Sequence, residues 1–210
     1  MNIEIMSAKD WQELSRQLCK RYDYYRVGGF DTDTKTAWAC EEKGGRMFHI
    51  DYQTGQRIYE HSYPYVSLFQ EGLACVATRS PGFCTHHIGL DGQPAYRERH
   101  QSVCGFSESM ACTKDSRGCF HLKKSGRQAY THRFKTVGRF CFGLAQAETE
   151  TGCFHIKPNG KPAYNGLFLS CGPFNENGLA WVEYIKQDSK TGKKLKVRRD
   201  INTKGVIQNQ

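Results

Sequence analysis

Two short sequences place a cysteine two residues before a histidine, Cys119-Phe-His121 and Cys153-Phe-His155. Residues two apart on a β-strand point to the same face, so each pair could present a thiolate and an imidazole to one metal ion. Together the four side chains would make a Cys2His2 zinc site. A thiolate beside an imidazole is also the pairing that activates a cysteine nucleophile. The two sequences therefore raise metal binding and thiol catalysis as functions to be weighed.

Both pairs belong to a pattern that recurs along the chain. A glycine stands four residues before a tyrosine, and that tyrosine stands ten residues before a phenylalanine, in four copies: Gly55/Tyr59/Phe69, Gly92/Tyr96/Phe106, Gly126/Tyr130/Phe140 and Gly160/Tyr164/Phe174. The copies are 37, 34 and 34 residues apart, a period typical of repeat proteins. The repeat explains the cysteines and histidines as core positions, and the Cys-x2–4-Cys spacing of zinc sites is missing. Metal binding by Cys119, His121, Cys153 and His155 is kept as the alternative.

Enzyme motifs are missing from the sequence. No orienting Asn or Asp recurs beside the Cys/His pairs, and residues on one face of a single strand rarely leave a cleft for a substrate. The sequence contains no Gly-x-Ser-x-Gly, no phosphate-binding glycine loop and no His-Glu-x-x-His. We therefore expect a protein that is not an enzyme and that binds no cofactor.

The elements that carry the repeat are predicted to be strands. Each unit has a first strand through Gly-Leu-Ala (residues 73–77 and 144–147), a second strand with Phe-His-Ile, and a third strand through Pro-Ala-Tyr. Asp-Gly and Asn-Gly before the third strand favour hairpin turns because both residue types accept positive φ. We expect an all-β tandem array of about five antiparallel three-stranded units over residues 27–210. Units of 34 to 37 residues favour an open superhelical stack over a propeller-like ring, whose blades need about 40 to 50 residues.

The N-terminal region is predicted to contain one amphipathic helix over residues 8–22. Ser7 and Asp10 form the N-cap pattern of a helix start. Trp11, Leu14, Leu18 and Tyr22 then recur at helical spacing. Residues 1–26 would cover the exposed end of the array, as terminal repeats require; a helix that binds a partner is the alternative.

The repeat resembles the bacterial WG repeats, which are short β units with a Gly-Trp-x-x-Ile strand, a glycine turn, and a tyrosine followed by Phe-x-x-Gly-Leu-Ala. The resemblance covers about residues 27–207. It departs from the family at the tryptophan, which is replaced by Met47, Phe83, Cys119 and Cys153, and at Ser109-Met-Ala111, which replaces Gly-Leu-Ala. The resemblance implies an all-β array with an interaction role, and it supplies no catalytic residues.

A ladder of tyrosine and arginine side chains is the first predicted protein-binding surface. Tyr96 with Arg97 and Arg99, and Tyr130 with Arg133, stand together where the third strand ends. Tyrosine and arginine are enriched at binding hot spots. The alternative is that the tyrosines are half-buried spacers and the arginines are solvated.

The second predicted binding surface is the basic hairpin, residues 185–199. It has seven basic side chains and one acidic side chain, so it supplies +6 of the formal charge of +9. We expect Lys193, Lys194, Arg198 and Arg199 to contact a protein partner. Nucleic-acid binding is the alternative, although few aromatic residues are interleaved to stack bases. A lysine-rich strand also discourages aggregation through a sheet edge.

Cysteine usage and the N-terminus predict the compartment. Several of the ten cysteines, such as Cys75 and Cys112, occupy equivalent repeat positions, which suits free cysteine used as a small buried hydrophobe. The N-terminus lacks a secretory signal, and no apolar stretch approaches the roughly 18 residues of a membrane span. We expect a bacterial protein in the reducing cytoplasm or an effector delivered into a host cell.

Overall fold

The computed structural model describes residues 7–79, 84–189 and 191–208. The chain falls into two compact units, Met1–Gly105 and Phe106–Gln210. Within the described residues, the single helix is α1 (Ala8–Tyr22), and the strands are short and antiparallel. The predicted fold class, all-β repeats preceded by one helix, is confirmed at this level. The predicted domain boundary between residues 26 and 27 stays a prediction.

The first unit contains α1 and two three-stranded sheets. Its described strands are β1 (Arg26–Asp31), β2 (Thr36–Cys40), β3 (Met47–Asp51), β4 (Tyr65–Val66), β5 (Ala74–Ala77), β6 (His86–Ile88) and β7 (Ser102–Val103). The sheet orders are β1-β2-β3 and β4-β5-β6. Alanine at the small inward positions of the central strands, such as Ala37 and Ala74, is fully buried.

Helix α1 begins and ends as the sequence predicts. Ser7 and Asp10 form a reciprocal capping box, which satisfies backbone groups at the helix start. The ring of Trp11 stacks on Phe30 of β1 with centroids 4.5 Å apart, and Leu18 is buried in the core of this unit. The apolar stripe therefore packs the helix against the first sheet.

The second unit contains eight described strands. They are β8 (Met110–Asp115), β9 (Gly118–Lys123), β10 (Thr136–Val137), β11 (Ala145–Thr149), β12 (Gly152–Ile156), β13 (Ser170–Cys171), β14 (Leu179–Gln187) and β15 (Lys194–Asn202). Strands β8 and β9 pair antiparallel, and two further sheets have the orders β10-β11-β12 and β13-β14-β15. The final sheet differs from the others because β14 and β15 have nine residues each.

The prediction that Pro-Ala-Tyr forms the third strand of each unit is wrong. The Pro-Ala-Tyr segment makes an isolated bridge, for example between Ile156 and Pro162, and the Ala163 N–H donates to the His155 carbonyl at 2.8 Å. Proline has no N–H to continue a ladder, and the segment leaves the sheet at this point. The third strand is instead a two-residue segment such as β13, which precedes the Gly-Leu-Ala strand in the chain.

Phe83 of the repeat pattern and Lys190 of the basic hairpin lie outside the described residues. Across the residues that are described, no helix is long and apolar enough to cross a membrane. The buried positions of Cys75 and Cys112 are confirmed.

Candidate binding surface and the buried histidine ladder

Each of four repeats buries one histidine completely. His49, His87, His121 and His155 have no exposed surface, and they lie on the equivalent strands β3, β6, β9 and β12 of their repeats. In the second unit, Nδ1 of His121 lies 2.5 Å from the hydroxyl of Tyr130, and Nε2 lies 2.8 Å from the carbonyl oxygen of Gly138. Both ring nitrogens are therefore engaged by groups of the protein itself.

The other three histidines make the same two contacts. A tyrosine hydroxyl lies 2.5–2.6 Å from Nδ1 in each case: Tyr59 for His49, Tyr96 for His87 and Tyr164 for His155. A backbone carbonyl oxygen lies 2.8–2.9 Å from Nε2, and it belongs to Ser67, Cys104 and Gly172 in the same order. A carbonyl only accepts, so Nε2 must carry the proton and Nδ1 must accept from the tyrosine. The ladder therefore selects a neutral imidazole.

Burial reinforces the neutral state. It lowers the pKa of His49 and of His121 from 6.5 to about 4 because a charged imidazole loses its hydration there. Burial also raises the pKa of the tyrosine partner, as at Tyr130. The imidazoles of His49 and His121 therefore stay neutral near neutral pH, and the contacts of the pairs indicate a structural role.

The tyrosine also connects one repeat to the next. A Cβ atom added to Gly160 would lie 2.5 Å from Cγ of Tyr130, and one added to Gly92 would lie 2.5 Å from Cγ of Tyr59. On the other side of the histidine, the ring of Phe140 lies 4.6 Å from that of His121. The glycine turn of one repeat therefore packs on the tyrosine of the preceding repeat, whereas the phenylalanine packs on the histidine of its own repeat.

The predicted exposed ladder of tyrosine and arginine needs correction. Tyr96 and Tyr130 are each only 8% exposed, because their hydroxyl groups reach inward to the histidines. The side chain of Arg133 is 9% exposed. Its guanidinium lies 3.6 Å over the ring of Phe120 and 2.9 Å from the carboxylate of Asp115. This guanidinium holds the pKa of Asp115 well below its ordinary value.

The remaining two members of that predicted surface are exposed. Arg99 uses its guanidinium to donate to the carbonyls of Tyr96, Arg97 and Glu98 at 3.0–3.2 Å, so it shapes its own turn. Arg97 is exposed and stays a candidate contact. The structure therefore leaves isolated arginines rather than a continuous Tyr/Arg face.

The alternative metal ligands are each engaged elsewhere. Cys153 forms a disulfide with Cys171, so this repeat cysteine is not the free, buried thiol that the sequence favours. The thiol of Cys119 donates to the Lys135 carbonyl at 3.3 Å, and the ring nitrogens of His121 and His155 are occupied as above. No group of three or more His, Cys, Asp or Glu side chains in the described ranges could hold a metal ion.

The basic hairpin is an exposed, strongly charged surface of the second unit. Strands β14 and β15 pair over nine positions, but the residues buried in the core, Ala180, Val182 and Ile201, are all near one end. Toward the other end, Ile185 is 48% exposed and Leu195 is 49% exposed. The two strands thus continue well past the core that they help to build.

The predicted contact residues lie on this extension. Lys193, Lys194, Arg198 and Arg199 are all exposed. The Arg198 guanidinium lies 4.3 Å over the ring of Trp181, so that ring is covered. Within the described residues the sheet order ends at β15, and the basic side chains therefore flank a sheet edge.

The comparisons with known proteins identify no relative. No family model and no curated protein match the chain. Solved structures that resemble it include KlHsv2 with loop 6CD replaced by a Gly-Ser linker (13% identity, TM-score 0.49, 88% of this chain and 64% of that chain). Hsv2 of Kluyvelomyces marxianus (14%, 0.48, 85% and 59%) and regucalcin, a calcium-binding protein of Agrobacterium tumefaciens (10%, 0.36, 87% and 72%), also resemble it.

These similarities are weak. The chain spans less than two thirds of the length of either Hsv2 structure. Superpositions with TM-scores of 0.36 to 0.49 support no inference about function. The resemblance to the WG repeats stays a prediction.

Proposed function

We propose that this chain is a non-enzymatic protein-binding module and that its basic hairpin binds an acidic, extended segment of another protein. The observation that carries the proposal is the length of β14 and β15, nine residues each. The strands of the other sheets have two to six residues. The additional length buries little of its own apolar surface, as the exposure of Ile185 and Leu195 indicates.

The chemistry of the hairpin favours an acidic partner. Its net charge of +6 would steer an acidic segment toward it and raise the association rate. The exposed side chains of Ile185 and Leu195 supply apolar surface among these charges. An extended peptide can add to an exposed sheet edge through backbone hydrogen bonds and use alternate side chains for specificity. The edge of β15 at residues 194–199 offers this combination of backbone groups, basic side chains and apolar contacts, whereas its end at residues 200–202 already pairs with residues 206–208.

A protein partner fits the hairpin better than a nucleic acid. Nonspecific single-strand binding combines a basic groove with aromatic faces on which bases stack. Here the face of Trp181 is covered by Arg198, and Tyr184 packs against the core. The hairpin therefore has the charge to attract a nucleic acid, but neither of these two rings presents an open face on which a base could stack.

The test titrates the full chain into a fluorescent ten-residue peptide in which Glu and Val alternate. We expect saturable binding that weakens with added salt, as exposed charges are screened. The double variant Lys194→Glu/Arg198→Glu should bind about tenfold more weakly or worse. The matched control is Lys157→Glu/Lys161→Glu, which reverses two exposed charges elsewhere in the same unit and should bind like the parent.

A second probe tests the sheet edge. The same peptide, N-methylated at alternate residues, keeps its charge and loses backbone donors, so edge pairing predicts a marked loss of affinity. Equal binding by both double variants would refute the hairpin as the site. Tight binding of a poly-dT oligonucleotide, abolished by the Lys194/Arg198 variant while the peptide does not bind, would assign the hairpin to nucleic acid instead.

The proposal also includes a reducing compartment for the protein and an open stack of its repeats. The reducing cytoplasm suits the eight cysteines that form no disulfide, whereas the Cys153–Cys171 bond suits an oxidising one. Alkylation of intact cells followed by peptide mapping would show which state Cys153 has there. Small-angle scattering would distinguish the open stack that we favour from a closed ring.

A further inference from the structure

Three glycine turns of the second unit follow one another along one edge of its repeats. They are residues 123–127, 157–161 and 202–206, and in each the N–H of the first residue donates to the carbonyl of the fifth at 2.9–3.0 Å. The ring of Tyr130, which follows the first turn, lies against Gly160 of the second, and the ring of Tyr164 lies against Gly205 of the third. The three turns are therefore neighbours in chain order.

These turns carry positive charge only. Residues 122–128, 156–162 and 201–207 contain six basic residues and no acidic residue. The six are Lys123, Lys124, Arg127, Lys157, Lys161 and Lys204, and all are exposed. The equivalent turns of the first unit, residues 50–56 and 88–94, each contain one aspartate and no basic residue. The positive charge is therefore specific to the three turns of the second unit and is not a general property of the repeat.

Two of the turns place like charges directly opposite each other. The backbone pairing sets Lys123 opposite Arg127 and Lys157 opposite Lys161. Like charges at opposed positions of an antiparallel pair are destabilising. In the first unit the same opposed positions hold at most one charge. Among the described residues, Lys157 and Lys161 form no ion pair that would offset this repulsion, so a bound anion would relieve it.

We propose that Lys123, Arg127, Lys157, Lys161 and Lys204, the basic turn row, bind the phosphate backbone of double-stranded DNA. A duplex is a line of charge, with one negative charge for about every 1.7 Å of its axis, and the row is a line of basic groups in successive repeats. The three turn segments contain no Phe, Tyr or Trp, so they offer no ring on which an unpaired base could stack. Phosphate contacts carry no sequence information, and the binding is therefore independent of DNA sequence.

The basic turn row is separate from the peptide site proposed on the hairpin. Lys194 and Asn202 are the two ends of the nine-residue strand β15, which places the third turn about 25 Å from the start of that strand at the rise of an extended chain. The two surfaces also differ in chemistry, because the hairpin combines its charge with a sheet edge and the exposed side chains of Ile185 and Leu195. Variants can therefore remove one surface and leave the other.

Fluorescence anisotropy of two labelled DNA duplexes of unrelated sequence, titrated with the full chain at several salt concentrations, tests the proposal. We expect equal affinities for the two duplexes. The logarithm of the affinity should fall with the logarithm of the salt concentration with a slope of about −4, since each phosphate contact contributes about −0.9. Lys157→Gln/Lys161→Gln should weaken binding to both duplexes and reduce the size of the slope by about 2.

The matched control is Lys194→Gln/Arg198→Gln, which removes two exposed charges from the hairpin and should change the slope by less than about 0.5. Equal changes for the two double variants would show that net charge alone attracts the DNA, and an unchanged slope for Lys157→Gln/Lys161→Gln would also refute the site. Binding of phosphatidylserine vesicles that requires Lys157 and Lys161, without binding of either duplex, would assign the row to a membrane surface instead.

Two further measurements make the result unambiguous. Urea unfolding should show that Lys157→Gln/Lys161→Gln is at least as stable as the parent, because the opposed charges are gone, so that lost binding is not lost folding. The same variant should still bind the acidic Glu/Val peptide. Loss of DNA binding with peptide binding retained separates the two sites, and failure of either proposal leaves the other standing.

Discussion

The hydroxyl of Tyr130 lies 2.5 Å from Nδ1 of His121, while the ring of the same tyrosine lies against Gly160 of the following repeat. One side chain therefore satisfies a buried imidazole within its own repeat and covers the turn of the next. A larger residue at the turn would meet the ring, and a residue without the hydroxyl would leave the imidazole nitrogen without its donor. This double role explains why the glycine and tyrosine spacings are constant while loop lengths vary.

Replacing Tyr130 by phenylalanine tests the hydrogen bond without changing the ring. Nδ1 of His121 would be buried without a donor, which costs about 1–3 kcal/mol of the free energy of unfolding. Tyr25→Phe is the control, because Tyr25 is 55% exposed and should change stability by at most about 0.5 kcal/mol. Urea unfolding of both variants measures the difference. Equal stability of the two variants would contradict the proposed role of the hydroxyl.

The histidine ladder also predicts a loss of stability in mild acid. Burial lowers the pKa of His49 and His121 from 6.5 to about 4. Between these values the unfolded chain binds more protons than the folded chain, so the free energy of unfolding falls as pH falls. The contribution is complete above pH 6.5 and is lost progressively toward pH 4. One such histidine accounts for on the order of 3 kcal/mol.

Urea unfolding at intervals from pH 7.5 to 4.5 would measure this slope. His132→Gln, which removes an exposed histidine, should leave the slope unchanged. A free energy of unfolding that is constant from pH 6.5 to 4.5 would mean that the buried histidines accept protons without cost. That result would be incompatible with the neutral tautomer assigned from their carbonyl contacts.

Helix α1 and the repeat positions could be predicted because short stretches of sequence encode them. Helix α1 was predictable because its capping residues and apolar stripe are contained within one segment. The repeat positions were predictable because their spacing survives in four copies. The pairing of histidine with tyrosine was missed, although the nine residues from His121 to Tyr130 recur from His155 to Tyr164. That constant spacing was the available signal.

Other features depended on contacts that no local pattern encodes. The disulfide joins Cys153 to Cys171 across 18 residues, and the corresponding positions of the preceding repeat are Cys119 and Val137. The repeat therefore offered no second example of the pair. The inward turn of Tyr96 and Tyr130 likewise depends on the buried histidine acceptor, which composition alone does not reveal.

Alanine at Gly160 tests the packing of the tyrosine ring on the turn. Gly160 has φ of +78° and Gly143 has φ of +73°, so alanine at either position is strained by roughly 1–2 kcal/mol. A Cβ at Gly143 would meet nothing within 4 Å, whereas one at Gly160 would lie 2.5 Å from Tyr130. We expect Gly160→Ala to lose about 1–3 kcal/mol more than Gly143→Ala. Urea unfolding compares them, and equal losses would show that the ring yields freely.

Arg133 provides a test of whether an arginine predicted to bind a partner is instead part of the fold. Its guanidinium lies 3.6 Å over Phe120, and the whole side chain is 9% exposed. Arg133→Ala therefore removes both a cation–π contact and the cover of a buried ring. We expect a loss of about 2 kcal/mol in the free energy of unfolding. Lysine should restore only part of it, because an ammonium group cannot lie flat on the ring.

Arg97→Ala is the matched control, since Arg97 is exposed and its removal should change stability by at most about 0.5 kcal/mol. Asp115→Asn isolates the ion pair, because it removes the carboxylate charge while the stacking of Arg133 on Phe120 persists. A loss for Asp115→Asn as large as that for Arg133→Ala would assign the effect to the ion pair. A much smaller loss, with Arg133→Lys between the parent and Arg133→Ala, would assign it to the planar contact with Phe120.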